Sequence, residues 1–138
     1  MSEATARVIL FMPRFHAAIL SGAKRQTIRR PRKRPIQPGE PLSLRAWEGA
    51  PYRSKQRVLR EVVCEAVLPI EIEGGDELGI RIGSKWLSSR SVDDFARADG
   101  FADAADMAAF WRDVHELERD VFGPRTFEGE VIYWEAES

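Results

Sequence analysis

The residues most able to do chemistry lie in one short basic segment of the sequence. From Lys24 to Arg34, seven of eleven residues are Lys or Arg. Clustering like charges costs electrostatic repulsion, and a run of phosphates would offset that cost by neutralising the charges and releasing counterions. Arginine outnumbers lysine here, and a guanidinium binds phosphate oxygens through a fork of donors and also stacks on bases. The segment therefore predicts a site for a polyanion, namely RNA or a nucleotide.

Aromatic residues just downstream of the basic segment indicate contacts to unpaired bases. Trp47 and Tyr52 are interleaved with further cations, and bases stack readily on aromatic faces. Two alternatives stay open: the run 32–34 is a solvated loop that pairs with acidic residues elsewhere, and Trp47 packs in the core. We predict these nucleic-acid contacts: Arg25, Arg29, Arg30, Arg32, Lys33, Arg34, Arg45, Trp47 and Tyr52.

Lys24 and Thr27 form a second candidate for chemistry. A hydroxyl becomes a nucleophile when a base takes its proton, and a lysine is such a base only where burial or nearby cations lower its pKa. Arg25 and Arg29 flank the pair, and a carboxylate would be needed to orient it. Side chains alternate along a strand, so Lys24 must lie in the turn before the strand to meet Thr27. The alternatives are a surface cation and an ordinary strand residue.

Neither a metal nor a cofactor is predicted. The histidines His16 and His115 are isolated, and no Cys, His and Asp cluster has the spacing of a metal site. Gly74-Gly75 lacks the Lys-Ser/Thr that completes a phosphate-binding P-loop. The lone Cys64 lies in an apolar strand pattern, which predicts a buried core thiol and excludes a disulfide within the chain.

Charge is distributed unevenly along the chain. Residues 1–60 carry 14 Lys and Arg against 3 acids, a net of +11, and residues 61–138 carry 7 against 19, a net of −12. The split favours a polyanion partner for the first half. The alternative is that the halves neutralise each other within the fold or between two subunits, which leaves the oligomeric state open. Apolar runs are too short for a signal peptide or a membrane span, so we expect a cytoplasmic protein with no membrane partner.

The elements that must position these residues follow from periodicity and from helix signals. Ser91 and Asp103 are predicted caps of the two late helices, and Gly22 is the predicted end of the first. An apolar stripe in the last helix and three tryptophans are expected in the core: Met107, Phe110, Trp111, Val114, Leu117, Trp86 and Trp134. The predicted strands are Val8–Met12, Lys24–Arg30, Leu42–Trp47, Gln56–Val67, 78–83 and Phe127–Trp134, with helices at 14–21, 91–100 and 103–117.

This order of elements is typical of the α+β class rather than of a doubly wound sheet. We predict a single domain over 1–138. Its mixed or antiparallel sheet is expected to curl into a small β-barrel. A short N-terminal helix and two later helices pack around that barrel.

The segment from Phe11 to Arg29 resembles the N-terminal signature of the ASCH domain, a branch of the PUA-like superfamily of RNA-associated β-barrels. That pattern has an apolar strand, a short helix that ends in glycine, and then Lys, Thr and Arg. Here the last four are Gly22, Lys24, Thr27 and Arg29. The run 38–42 and the segment 127–134 are similar to the turn and closing strand of that family.

The resemblance implies a PUA-like barrel with a cleft between the first helix and the sheet, and an RNA-linked or nucleotide-linked function. One branch that resembles this chain deacetylates N4-acetylcytidine with a Lys, a Thr and a Glu. The first two correspond to Lys24 and Thr27, and the late helix offers Asp106 where that branch has Glu. Other ASCH proteins are similar to ribonucleases or to plain RNA binders.

Three hypotheses follow. The first is an RNA- or nucleotide-binding module. The second is a hydrolase that acts on N4-acetylcytidine or on RNA. The third is a protein-interaction module or a homodimer that joins basic and acidic halves.

Overall fold

The computed structural model describes residues 5–75, 77–115, 119–120 and 123–135. They form an α+β structure, as predicted from the order of elements. A 3-10 turn, Pro13–Phe15, precedes the first helix. The helices are α1 His16–Ser21, α2 Ser89–Ala98 and α3 Ala104–His115. The strands are β1 Arg7–Leu10, β2 Gln26–Arg29, β3 Pro41–Trp47, β4 Gln56–Glu73, β5 Gly79–Ile82, β6 Lys85–Trp86, β7 Arg119–Asp120, β8 Gly123–Pro124 and β9 Thr126–Trp134.

Seven of the strands form one mixed sheet. Its path is β1-β3-β4-β5-β6, and β9 pairs with both β4 and β2. The β1–β3 pair is parallel, with Val8 opposite Ser43, whereas the β3–β4, β4–β5 and β5–β6 pairs are antiparallel. Strands β7 and β8 form a separate pair. Across the strands that the structure describes, this sheet is not closed, so a barrel is not seen in the pairing.

The chain divides into two compact units. The first comprises Met1–Gln26, Arg32–Val67 and Ile132–Ser138, and the second comprises Thr27–Pro31 and Leu68–Val131. The first unit carries 12 Lys and Arg against 7 Asp and Glu, a net charge of +5, and the second carries 9 against 15, a net of −6. The charge asymmetry of the sequence therefore persists in the folded units, at about half its size. The single domain stays a prediction.

The core of the first unit follows the alternation predicted for β3. Leu42, Leu44 and Ala46 are fully buried on that strand, and the Cys64 thiol on β4 is buried as predicted. Trp134 is also buried, with its ring 6.2 Å from that of Phe11 in an edge-on arrangement. Glycine tolerates a left-handed backbone, and Gly22 ends α1 at φ +83° as predicted.

The core of the second unit is built from β5, α2 and α3. Ile80, Met107 and Trp111 are buried, which confirms the inner part of the predicted stripe on α3. Val114, predicted in the same stripe, is exposed because it lies in the last turn of the helix, and Leu117 lies outside the described residues.

Three sequence predictions about this unit were wrong. The cap of α2 is Ser88, whose Oγ accepts the Ser91 N–H, so the helix starts two residues before Ser91. Strand β4 does not stop at Val67 but continues to Glu73, because residues 70–73 pair with β5. Trp86 is 47% exposed rather than in the core, because it lies on the two-residue strand β6.

No helix among the described residues is long and apolar enough to cross a membrane.

Candidate functional site

Arg7 holds the backbone of the basic loop, which comprises residues 32–40 of the first unit. The buried Arg7 guanidinium donates to the carbonyl oxygens of Arg34 at 2.6 Å and Pro35 at 3.3 Å, and forms an ion pair with Glu40 at 3.3 Å. The Glu40 carboxylate also accepts the Gln37 N–H at 2.8 Å. The pKa of Glu40 is lowered by that backbone hydrogen bond and by Arg7. The loop backbone is therefore fixed by charged hydrogen bonds, the stronger kind.

The cations of this loop point outward. Arg32, Lys33 and Arg34 are all exposed, and the Arg32 guanidinium also donates to the Val8 carbonyl of β1. Within the described residues of the first unit, neither Lys33 nor Arg34 forms an ion pair. Among these described residues, Lys33 and Arg34 are therefore not neutralised by a direct ion pair, although the Arg34 charge also helps to lower the pKa of Glu40. Because the backbone is already ordered, an anion that binds here would cost little further conformational entropy.

Two aromatic rings lie at the end of β3 and just after it. Trp47 and Tyr52 pack at a ring-centroid distance of 5.2 Å, and Tyr52 is 87% exposed. Tyr52 has a backbone φ of +63°, a left-handed conformation that costs a non-glycine residue on the order of 1 kcal/mol. Trp47 is half-buried. This burial does not decide between packing in the core and stacking on a base. The exposed tyrosine ring is available for stacking.

Arg45 is half-buried and is held by uncharged partners. Its Nε donates to Ser43 Oγ at 2.8 Å, and Nη1 donates to Gln56 Oε1 at 3.0 Å. From the start of β3 beside the basic loop to Trp47 at its end there are six residue steps, which span about 20 Å.

Lys24 is buried in the first unit, so the surface-cation alternative is wrong. Its side chain is 2% exposed, and Nζ lies 4.7 Å from the Phe15 ring centroid and 5.9 Å from that of Phe11. It precedes β2, and its N–H donates to the Ala18 carbonyl at 3.0 Å. Lys24 therefore occupies the turn outside the pleat, as the hydrolase hypothesis requires. Burial of a lysine is costly, and the two rings offset part of that cost by cation–π attraction.

Thr27 and Asp106 belong to the second unit. Thr27 is buried, and its Oγ1 accepts a hydrogen bond from Arg29 Nε at 3.2 Å. Asp106 lies in the first turn of α3, where its carboxylate accepts the Ala102 N–H at 2.9 Å. The Asp103 carboxylate accepts the Asp106 N–H at 2.8 Å, so both acids accept backbone N–H groups around the start of α3. Asp106 thus has a role at the helix terminus, and its catalytic role stays a prediction.

The predicted site residues are distributed over both units. Eight belong to the first unit: Lys24, Arg25, Arg32, Lys33, Arg34, Arg45, Trp47 and Tyr52. Four belong to the second unit: Thr27, Arg29, Arg30 and Asp106.

Two residues with a part in these surfaces were missed in the sequence. Arg7 stands alone on an apolar strand, and no local pattern marks it as the anchor of a loop more than twenty residues away. His115 is isolated from other candidate ligands in the sequence, yet its ring stacks on that of Trp111 at a centroid distance of 4.2 Å. The helical spacing of four residues between Trp111 and His115 was a signal for that contact.

Metal and thiol chemistry find no support in the part of the chain that the structure describes. No group of three or more His, Cys, Asp or Glu there is placed to hold a metal ion. The pKa of Cys64 is raised chiefly by burial, which disfavours the thiolate that nucleophilic chemistry needs.

No family model matches the chain, and no curated protein or solved structure matches it either. The resemblance to the ASCH domain therefore rests on the quoted residues alone.

Proposed function

We propose that this protein is a cytoplasmic, ASCH-like module that binds RNA or a nucleotide, with the first unit as its main phosphate-binding surface. The observation that carries the proposal is the exposure of Lys33 and Arg34 on a loop whose backbone the buried Arg7 holds in place. The net charge of +5 on this unit supports the same conclusion, because it attracts polyanions from a distance. The small PUA-like barrel implied by the resemblance is part of the proposal.

Phosphates and bases have separate contacts in this proposal. Lys33 and Arg34 bind backbone phosphates, and Tyr52 stacks on an unpaired base beside Trp47. The loop and the rings adjoin opposite ends of β3, about 20 Å apart, so one nucleotide cannot reach both. A single-stranded oligonucleotide should therefore bind more tightly than a mononucleotide.

The test is RNA binding by a double variant, Lys33→Ala with Arg34→Ala. Arg32 is left unchanged because its bond to Val8 supports the fold. We expect the variant to bind a single-stranded RNA of roughly 12 nucleotides about tenfold more weakly in fluorescence anisotropy, since two phosphate contacts are lost. The control is Lys85→Ala with Arg90→Ala, which removes two exposed cations of the second unit. If both variants lost the same RNA affinity, net charge alone would explain the effect, and the proposal would be overturned.

A second candidate function is hydrolysis, and the burial of Lys24 and Thr27 favours it. Polar side chains are costly to bury, and active sites are one place where proteins bear such costs. In this hypothesis Thr27 Oγ attacks the acetyl carbonyl of N4-acetylcytidine, the amide C–N bond breaks, and the cytidine amine leaves with the hydroxyl proton. The resemblance implies that Lys24 is the base. Water then hydrolyses the acetyl ester on Thr27, which releases acetate and restores the hydroxyl.

The hydrolase hypothesis is tested with N4-acetylcytidine and with RNA as substrates, followed by chromatography. We expect turnover by wild type and by Thr27→Ser, which keeps the hydroxyl, and none by Thr27→Ala. Activity in the Thr27→Ala protein would contradict the role of Thr27 as the nucleophile. Cleaved RNA in place of cytidine would favour the ribonuclease.

A further inference from the structure

Cationic and aromatic side chains of the second unit gather around Phe127 on β9. The Arg30 guanidinium carbon lies 4.8 Å from the centroid of the Phe127 ring, and the Trp111 ring lies at the same distance. The His115 ring is 6.3 Å from Phe127. Phe127 and Trp111 are buried, whereas Arg30 and His115 are exposed. The cluster thus has an apolar floor and two polar groups at the surface.

The inner face of the His115 imidazole is covered by Trp111, with the ring planes 28° apart. Phe110 contacts His115 edge-on at a centroid distance of 5.5 Å. The pKa of His115 is lowered first by burial and then by the guanidinium groups of Arg30 and Arg29. Two positive charges therefore lie near a neutral ring that has N–H and lone-pair groups for a ligand.

Each of these arginines has an uncharged group beside it. Arg29 donates to the Thr27 hydroxyl, and Arg30 lies over the Phe127 ring. Among the described residues of the second unit, Arg30 forms no ion pair. A guanidinium stacked on a ring keeps its N–H donors in its own plane, where they can fork onto two oxygens of an anion. Within a unit of net charge −6, this is a local concentration of positive charge.

We propose that Arg29, Arg30 and His115 form a phosphate-binding site in the second unit, and that it takes the phosphate group of a nucleotide. Arg30 binds two phosphate oxygens, Arg29 adds a second positive charge, and the imidazole N–H donates to a third oxygen. Two guanidinium charges match the charge of roughly −1.5 to −2 on a phosphate monoester better than that of a carboxylate. The inference rests on the proposed function in taking the anion from RNA or a nucleotide.

The experiment observes the imidazole signals of the whole protein by NMR. The chain has two histidines, so His115→Gln assigns both sets of signals. Inorganic phosphate, uridine 5′-monophosphate and uridine are added in turn. We expect the His115 signals to shift with the two phosphates and not with uridine, while the His16 signals stay in place. Arg30→Gln should weaken binding of uridine 5′-monophosphate by about tenfold, because one bidentate contact is lost.

The outcomes separate this site from the proposed function. Shifts of equal size with uridine, or no shift with any phosphate, would overturn the site. Binding of the monophosphate should survive the Lys33→Ala, Arg34→Ala variant, and loss of both activities in that variant would also contradict a separate site. Amide spectra check that Arg30→Gln is folded, and Arg30→Lys, which keeps the charge without the fork, should bind at an intermediate level.

The source of the phosphate is distinguished with two RNAs. An oligonucleotide with a 5′-phosphate that binds more tightly than its 5′-hydroxyl form identifies a terminal phosphate as the ligand. Equal affinities, with the His115 signals shifted by both, identify a backbone phosphate. An RNA that binds without moving these signals places its contacts elsewhere and contradicts the site.

Discussion

Arg7 shows how a single buried charge can set the geometry of a binding surface. Its guanidinium connects two carbonyl oxygens of the basic loop and the Glu40 carboxylate to β1. Truncation of the arginine would leave those acceptors without their donor, and a buried acceptor without a partner is expensive. Lys24 is a comparable case at the end of the first helix. The sequence makes both look like ordinary cations, because burial depends on distant residues.

We expect Arg7→Gln to lower the free energy of unfolding by about 2 kcal/mol, since a charged hydrogen-bonded group is lost from a buried position. RNA binding should weaken as well, because the loop is no longer fixed. Urea denaturation and anisotropy measure the two effects. Arg53→Gln, at an exposed position, is the matched control and should change stability by less than about 0.5 kcal/mol. Unchanged stability in Arg7→Gln would contradict the anchoring role.

His115 predicts a pH dependence of stability with a definite sign. Its pKa is lowered in the folded protein by burial and by Arg30 and Arg29, so the unfolded chain binds the proton first. The neutral ring therefore contributes stability above a pH of about 6.5, the ordinary histidine pKa, and that contribution is lost as pH falls toward the folded value. Urea denaturation measures the free energy of unfolding of wild type and of His115→Gln. The difference between them should shrink from about pH 8 to about pH 5, a range that spans the ordinary histidine pKa. A constant or growing difference would contradict it.

At the scale of elements, the sequence predicted what local chemistry decides. Gly22 ends α1 and Asp103 caps α3, because backbone freedom and capping act within a few residues. It did not predict the extension of β4 past Pro69, because proline normally ends a strand and only pairing with β5 carries the strand on. The cap of α2 differs from the prediction because Ser88, Ser89 and Ser91 all lie around the start of that helix, and serine is a favoured cap at each position.

Strands β2 and β9 approach each other closely at Gly129. A Cβ there would lie 2.6 Å from the Arg29 carbonyl oxygen and 2.6 Å from the Phe127 ring. We expect Gly129→Ala to destabilise the protein by about 1–3 kcal/mol and to weaken phosphate binding, since Arg29 would move. Gly49→Ala is the control, because its nearest contact is an ordinary 3.4 Å. Thermal denaturation measures the stability of both variants. Equal melting temperatures for Gly129→Ala and Gly49→Ala would contradict the close approach.

At the scale of the molecule, the charge is segregated between units rather than between halves of the sequence. The sequence halves carry +11 and −12, but the folded units carry +5 and −6. The basic residues 27–31 join the second unit, whereas the acidic residues 61–67 and 132–138 join the first. The sequence could not predict this exchange, which depends on long-range strand pairing. The basic segment itself was evident from sequence, whereas its division between two units was not.

The third hypothesis, a homodimer through opposite charges, is tested by mass. Attraction between exposed charges is screened by salt, so such a dimer should dissociate as ionic strength rises. Size-exclusion chromatography with light scattering at low and high salt measures this. A monomer at both salt concentrations would rule out the charge-paired dimer.

The most direct test of the central claim is the salt dependence of RNA binding. For single strands, each phosphate contact contributes about −0.7 to the slope of log affinity against log salt concentration. We expect the Lys33→Ala, Arg34→Ala variant to have a slope smaller than wild type by about 1.4, and the Lys85→Ala, Arg90→Ala control to keep the wild-type slope. Identical slopes for wild type and the loop variant would contradict phosphate binding by the basic loop.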